Sequence, residues 1–474
     1  MQVVLAIEPA KELLCAPPVS VEVECHPAAT ISAVSAPRPT RDQELELEVT
    51  SLAQGGRGVA RLNGYVVFVS GGLPGDLLRA RVTKAKRNHA EATTIDLLRP
   101  SADRIADSCV HGGEPCPGAS WQGLPYERQL AEKSAATDDA LRRLGRIEDF
   151  ELEPIEPAVE AWRYRNKLEY SFGGDEQLPT LGFHRRGRWD EVVDVEDCLL
   201  ASEANNATRN RIHEWAHDEG IPAFDPRTHE GVLRNLVVRE GRRTGEIQTR
   251  LITSAAQFER PPVDLHTVVE RESGGTNGPT GVLGKEYLHE ELAGVRFRIS
   301  SGAFFQTNTE MAERLYGIAR EFAGLSGTER VLDLYCGIGS IAISLAPSAG
   351  EVWGIEMVPE AVTDAQANAR AAKLENTHFR CADARVGIRP ILEESGQPDV
   401  VVIDPPRAGL SSKVVRRVIE CEAKKIVYVS CNPTTLAPNL AQLIEAGYSL
   451  RRVRPVDMFP QTPHVECVAL MERA

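Results

Sequence analysis

Between Glu44 and about Pro100 apolar and polar positions alternate in short runs, ELELEVTSL, GVARLNGYVVFVSG, DLLRARVTKA and HAEATTIDLLRP, each closed by turn residues. A period of two with one apolar face predicts half-buried strands. Asn63-Gly64 between two such runs predicts a tight hairpin, and the even spacing predicts a small β-barrel over residues 42–101. Residues 101–150 carry a cysteine pair and then a helical stretch, YERQLAEKSAATDDALRRLG, ended by Gly145. From about 155 to 300 the pattern is mixed and β-rich with polar loops, and SGGTNGPTG (273–281) reads as a flexible turn or linker.

After Thr307 the texture changes. A helical stretch, NTEMAERLYGIAREFAGL, leads into RVLDLYCG, EVWGIE, THFRCAD, DVVVIDPPR and KIVYVSCNP, near-continuous Val/Ile/Leu strands separated by helical stretches. That order predicts an α/β unit whose parallel sheet is covered on both faces.

The 474 residues exceed one ordinary domain. The first 40 are rich in Pro, Ala and Ser, which predicts a flexible leader over 1–41 without the basic start and apolar block of a secretory signal. No apolar run reaches the roughly 18 residues of a membrane span. Ten cysteines scattered without a compact framework argue against a disulfide scaffold and for a reducing cytoplasm. The formal net charge of -14 does not exclude an RNA partner, because binding depends on local faces. Five basic clusters are candidates for such a face: 79–90, 162–167, 184–189, 239–243 and 451–454. For each of them a solvated charged surface is the plainer reading, though the second and third interleave Tyr or Trp, which suits base stacking.

Every strand of the predicted sheet ends on a chemically pointed residue. Asp333 and the turn Gly337-Ile338-Gly339 follow the first, Glu356 the second, Asp383 the third, Asp404-Pro405-Pro406 the fourth and Cys431-Asn432-Pro433 the fifth. Ligands of open parallel sheets bind at the carboxyl ends of the strands. The glycine turn followed by Glu356 suits a nucleotide-like cofactor, and by itself leaves NAD and S-adenosyl-L-methionine both open. A thiol at the same edge separates them: hydride transfer needs no cysteine, whereas methylating an unactivated pyrimidine carbon needs a nucleophile at C6 to make C5 electron-rich. Cys431 and Glu466, at the start of the last β-like run, supply a nucleophile and a base.

The motifs FFQTN, VLDLYCGIGS, GIE, IDPPRAGL, VSCNPTTLAPN and FPQTPHVECVAL together resemble those of the RNA uracil-C5 methyltransferases, the family that makes 5-methyluridine in 23S ribosomal RNA and in the tRNA T-loop. The resemblance runs from about residue 44 to the end. It implies a C-terminal Rossmann-like class I methyltransferase domain (307–474), a central mixed β-rich domain (102–306) and an N-terminal OB-like RNA-binding barrel of the TRAM kind. It implies S-adenosyl-L-methionine as cofactor, RNA as partner, Cys431 as nucleophile and Glu466 as the base at C5. Gln306, Tyr335, Ser340, Glu356, Asp383 and Asp404 would line the cofactor and uracil pocket, with Ser340 and Asp383 standing where many members have Asn.

The barrel tilts the expected substrate toward 23S rRNA, with a tRNA uridine as the alternative. A nitrogen methyltransferase acting through the Asp404-Pro-Pro turn and a non-catalytic RNA-binding protein are the other readings. The protein is expected to act as a monomer, with no membrane association. Many family members also hold a [4Fe-4S] cluster on a Cys-x5-Cys-x2-Cys run and a later cysteine. Here Cys109 and Cys116 are separated by six residues, Ala119 stands at the third position and Cys198 matches the fourth, so loss of the cluster is expected and His111 is read as an ordinary loop histidine.

Overall fold

The computed structural model describes residues 38–174, 179–185, 187–254, 267–271, 281–283 and 285–473. Residues 1–37 of the expected leader and 273–280 of the expected linker lie outside them.

Strands β1 (Glu44–Leu52), β2 (Gly58–Leu62), β3 (Tyr65–Ser70), β4 (Leu77–Ala85) and β5 (His89–Arg99) close into a barrel in the order β1-β2-β3-β5-β4. The alternation read from the sequence fills it: Leu45, Leu47, Val49, Val67, Val69 and Leu78 point inward and are buried. Asn63 and Gly64 both take positive φ, 49° and 84°, as the hairpin between β2 and β3 requires. At the foot of the barrel buried Asp76 accepts from the Leu73 and Ser101 amides and pairs with Arg104, which ties the barrel to the segment that follows.

That segment makes a two-residue hairpin, β6 (Val110–His111) with β7 (Glu114–Pro115), and then helix α1 (Tyr126–Asp139), which runs on through a wide turn at Ala140–Leu144. The buried face of α1 is polar: Gln129, Lys133 and Thr137, spaced four apart, are its buried residues. Lys133 Nζ lies 2.5 Å from Asp457 Oδ1, both side chains fully buried, and Gln129 exchanges hydrogen bonds with Gln461. A short strand, β8 (Glu151–Leu152), leads out of this region.

The central segment folds as a seven-stranded sheet, β9 (Lys167–Gly174), β10 (Pro179–His184), β11 (Val192–Asp194), β12 (Leu233–Glu240), β13 (Ile247–Thr253), β14 (Thr267–Arg271) and β15 (Gly281–Leu283), in the order β11-β10-β9-β12-β13-β14-β15. Helix α2 (Glu203–Asp218) packs on it, started by Ser202, which accepts from the Asn205 amide. A hairpin, β16 (Tyr287–Leu292) with β17 (Val295–Ser300), completes the segment.

The C-terminal part begins with α3 (Thr309–Ala323), capped by Asn308 and ended by left-handed Gly324. Then strands and helices alternate: β18 (Arg330–Leu334), α4 (Ser340–Leu345), β19 (Glu351–Glu356), α5 (Pro359–Ala371), β20 (Thr377–Cys381), α6 (Ala384–Ser395), β21 (Val400–Ile403), α7 (Ser412–Glu420), β22 (Lys425–Ser430), α8 (Pro433–Glu445), β23 (Tyr448–Val456) and β24 (Glu466–Arg473). The sheet order is β20-β19-β18-β21-β22-β24-β23-β8. It is parallel from β20 to β22, with β24 inserted antiparallel between β22 and β23. Two apolar clusters cover its two faces, one built on α3, α4 and α5, the other on α6, α7 and α8.

This sheet reaches back across the boundary expected at 306. β8 adds to its edge beside β23, and the turn at 140–144 packs on α8. No helix among the described residues is long and apolar enough to cross a membrane.

Candidate functional site

The order of the strands reverses between β18 and β21, and the crevice at such a point is where an open α/β sheet takes its ligand. The chain leaves β18 through Tyr335, held at φ 65°, and reaches α4 through Gly337 and Gly339, at φ 54° and 84°. A side chain at Gly339 would stand 3.1 Å from Ile343 and Phe379, so glycine there serves tight packing. At Gly337 nothing of the protein lies within 4 Å of that place, so this backbone is open to a ligand. Glu356, at the end of β19, accepts from the Gly337 amide at 3.2 Å and the Val358 amide at 2.9 Å.

Beside this turn lies a cavity of about 320 Å³ lined by Tyr335, Glu356, Met357, Asp383, Arg385 and Pro406 among others. Asp383 caps α6 by accepting from the Arg385 amide and pairs with the Arg385 side chain, which holds its carboxyl below the usual range.

The thiol sits one strand further along. β22 and β24 pair antiparallel from Lys425↔Glu472 to Ser430↔Cys467. The ladder ends there, so Cys431 and Glu466 are the next residues on their chains beyond its last pair, and the Glu466 carboxyl acts electrostatically on the Cys431 thiol. Cys431 is half-buried, whereas Glu466 is buried. Asn432 makes the junction: it accepts from the Thr434 amide as the cap of α8, donates to the Arg407 carbonyl, and is followed by Pro433 at the first helical position.

The electrostatics of this corner disfavour anions. Burial, then the nearby Glu466 and Asp404 carboxyls, push the Cys431 thiol up to about 11. Burial and then Asp404 push Glu466 well above the carboxylate range. Asp404, at the end of β21, is itself pushed up by burial to about 7.

Two expected residues, Ser340 and Gln306, are buried and do not line the cavity. Ser340 is hydrogen-bonded to Tyr316 of α3, a fully enclosed phenol raised by burial and by Asp404. Gln306 is buried in the loop before α3, where its carbonyl accepts from Asn166. Of the expected site residues, then, Tyr335, Glu356 and Asp383 share the cavity, Cys431, Glu466 and Asp404 share the acidic corner, and Ser340 meets that corner through Tyr316.

Three neighbours of the corner escape the sequence reading. Arg407, in IDPPRAGL, favours the anionic forms of both Cys431 and Glu466. His464 lies 3.3 Å from the Arg407 guanidinium and is lowered to about 4 by burial and by that cation. Gln54, in the β1–β2 loop of the barrel, donates to Asn432 at 3.3 Å. The motifs contained the first two, but weight was put on their carboxylates and thiol; a contact across 378 positions has no local signal.

Most of the basic clusters serve structure. Arg239 donates to the Ser300 and Ala303 carbonyls, Arg242 and Arg243 pair with Glu310 and Glu313, and Arg452 and Arg454 pair with Glu153 and Glu321. Arg163 pairs with Asp197. Trp189 in the third cluster is exposed and fits a stacking role. Cys109 and Cys116 come together with His111, and Cys198 is buried beside them.

Residues 274–474 match a family described as tRNA (Uracil-5-)-methyltransferase, and residues 39–95 match the TRAM domain. An uncharacterized RNA methyltransferase of Bacteroides thetaiotaomicron is 37% identical, over 89% of this chain and all of that protein. Another, from Porphyromonas gingivalis, is 39% identical over 90% of this chain and 99% of its own length. Among solved structures, the Pyrococcus abyssi tRNA (uracil-54, C5)-methyltransferase in complex with S-adenosyl-L-homocysteine is 28% identical, with a TM-score of 0.73, covering 90% of this chain and all of that one.

Proposed function

The chain belongs to the RNA uracil-5 methyltransferase family, and from that premise we propose that it methylates C5 of a uridine in 23S rRNA through a covalent bond between Cys431 and C6. The observation that carries this reading is the end of the β22–β24 ladder, which leaves Cys431 and Glu466 just beyond its last pair at the sheet edge that also bears the glycine turn and its cavity.

Gly337, Tyr335, Glu356 and Asp383 would hold S-adenosyl-L-methionine, which would supply the methyl group on a positively charged sulfur. The Cys431 thiolate adds its electron pair to C6, and the C5–C6 π pair moves toward C5 and O4. The C5 pair would then form a bond to the methyl carbon while the sulfur–methyl bond breaks, its electron pair staying on sulfur as a neutral thioether. The Glu466 carboxylate removes the C5 proton, the pair left behind re-forms C5=C6, and the S–C6 bond breaks to return the thiolate. Before this, the thiol must lose its proton and Glu466 must be ionised. Asp404, titrating near neutrality, is the group of the corner suited to exchange a proton at working pH. Arg407 steadies the anions as they form.

A base that stays stacked in an RNA duplex cannot offer C6 to Cys431, so the target uridine is flipped into the corner. Gln54 brings the barrel to the rim of that corner, where the barrel grips the flanking RNA.

One observation favours a second substrate, a tRNA uridine. The Pyrococcus tRNA enzyme covers 90% of this chain, a span that must extend into the barrel, so a barrel does not mark an rRNA enzyme. Unmodified 23S rRNA and tRNA transcripts incubated with the protein and labelled S-adenosyl-L-methionine distinguish the two. Label at a uridine C5 of 23S rRNA, absent with Cys431→Ala, is the expected result. Label in tRNA alone overturns the substrate, and full activity of Cys431→Ala overturns the nucleophile.

A further inference from the structure

We propose that Cys109, His111 and Cys116, with Cys198 as fourth ligand, hold a single zinc ion in place of the [4Fe-4S] cluster that the family resemblance implies. The donor atoms of the first three lie within 4.8 Å of one another, with Cys109 Sγ 3.2 Å from His111 Nε2. Zinc–sulfur bonds of about 2.3 Å and zinc–nitrogen bonds of about 2.0 Å set tetrahedral ligands roughly 3.3–3.8 Å apart. A cubane cluster takes each thiolate on a separate iron, so its ligands stand wider apart than those that share one ion. The donor set does not fit a cluster either. The place of its third cysteine is held by Ala119, fully buried, whose methyl group ligates nothing.

The fold presents these donors as a knuckle. The β6–β7 hairpin turns at Gly112 and Gly113, both at positive φ, and the Cys116 amide donates to the Cys109 carbonyl at 2.9 Å. This doubles the chain back so that two thiols and an imidazole converge. All three cysteines are buried. Cys198 is buried, and the next residue, Leu199, packs against Cys109 and Cys116. Two thiols and an imidazole whose donor atoms converge, with a third buried thiol on the adjoining segment, are arranged for a metal. Imidazole in the set favours zinc over an iron-sulfur cluster.

The site also has a mechanical place. Gln122 clasps the Cys109 backbone through two hydrogen bonds, 2.7 and 2.9 Å, and its neighbour Trp121 donates to the Gln461 carbonyl, in the loop that delivers Glu466. A metal here fastens the start of that strap to the central domain through Cys198.

The full chain, purified under anaerobic conditions without chelators, is assayed for zinc, iron and acid-labile sulfide, and after exchange into cobalt(II) its visible spectrum is recorded. About one zinc per chain without sulfide, and the intense visible bands of tetrahedral thiolate-bound cobalt, are expected. His111→Ala and Cys116→Ser should abolish those bands, and Cys198→Ser should shift them. Iron with stoichiometric sulfide would overturn the proposal, as would a wild-type protein that binds neither zinc nor cobalt at concentrations on the order of micromolar. An unchanged cobalt spectrum in Cys198→Ser would remove Cys198 as a ligand. None of these readouts depends on methyl transfer, so they stand or fall apart from the proposed reaction.

Discussion

Raising the pH should switch on the Cys431 thiol over an unusually high range. With burial and two carboxyl neighbours placing its pKa at about 11, about one molecule in a thousand carries the thiolate at pH 8, against roughly a quarter for an ordinary cysteine. That is a deficit of about 250-fold in reactive species. A more basic thiolate is also a better nucleophile, by about tenfold over this interval, so the net expectation is alkylation about 25-fold slower than an unperturbed thiol at pH 8. Because only the anion reacts, the rate should climb close to tenfold per pH unit from pH 7 to 10. Timed iodoacetamide labelling of the full chain, followed by peptide mass spectrometry, reads Cys431 against exposed Cys381 in the same sample. A Cys431 rate that levels off below pH 9 would show a thiol acidified in the free protein, and would refute the electrostatic account of the corner.

Glu466→Gln should stop turnover, by about 10²–10⁴-fold, and leave Cys431 joined to methylated RNA as a slow-migrating band on a denaturing gel; normal turnover would reject Glu466 as the base. Glu356→Ala removes an acceptor of two amides at the glycine turn and should weaken S-adenosyl-L-homocysteine binding about tenfold to a hundredfold by calorimetry, with unchanged affinity counting against the site. Lys133→Met strands the buried Asp457 carboxylate and should cost about 3–5 kcal/mol in urea unfolding, most of it recovered in Lys133→Met/Asp457→Leu. A single variant with wild-type stability would mean that the pair is not enclosed.

The parts legible in the sequence were those whose pattern is set by neighbours a few positions away. The alternation of β1–β5 and the unbroken Val/Ile runs of β18, β21 and β22 reflect which faces are buried, and the Asn-Gly turn and the Asn432-Pro433 cap are local backbone requirements. Helix α1 shows why the rest was hidden. Its buried stripe is Gln129, Lys133 and Thr137, so apolar periodicity cannot say which way it faces or that it docks on the loop at 457–461. The basic clusters were undecided in the sequence for a related reason. An arginine bound for Glu310 or Glu153 reads in one dimension like one bound for phosphate. The metal donors were legible as cysteines, but His111 gains meaning only when the two-residue hairpin folds it back on Cys109.

The corner as it stands disfavours the anionic forms of its thiol and carboxyls. Cys431, Glu466 and Asp404 each raise the cost of ionising another, and Arg407 offsets only part of it. In the proposed reaction a sulfonium at this edge would favour all three anions at once, so the cofactor would activate the Cys431 thiol as well as supply the methyl group. The neutral sulfur of the product would not exert that field, which would help Glu466 keep its proton. The pH midpoint of Cys431 alkylation should therefore fall when S-adenosyl-L-methionine is bound and stay near its free value with S-adenosyl-L-homocysteine. Using the midpoint rather than the rate separates this effect from simple occlusion of the thiol. Equal midpoints with the two ligands would mean that the charge is not felt at sulfur, and activation would then have to come from the RNA.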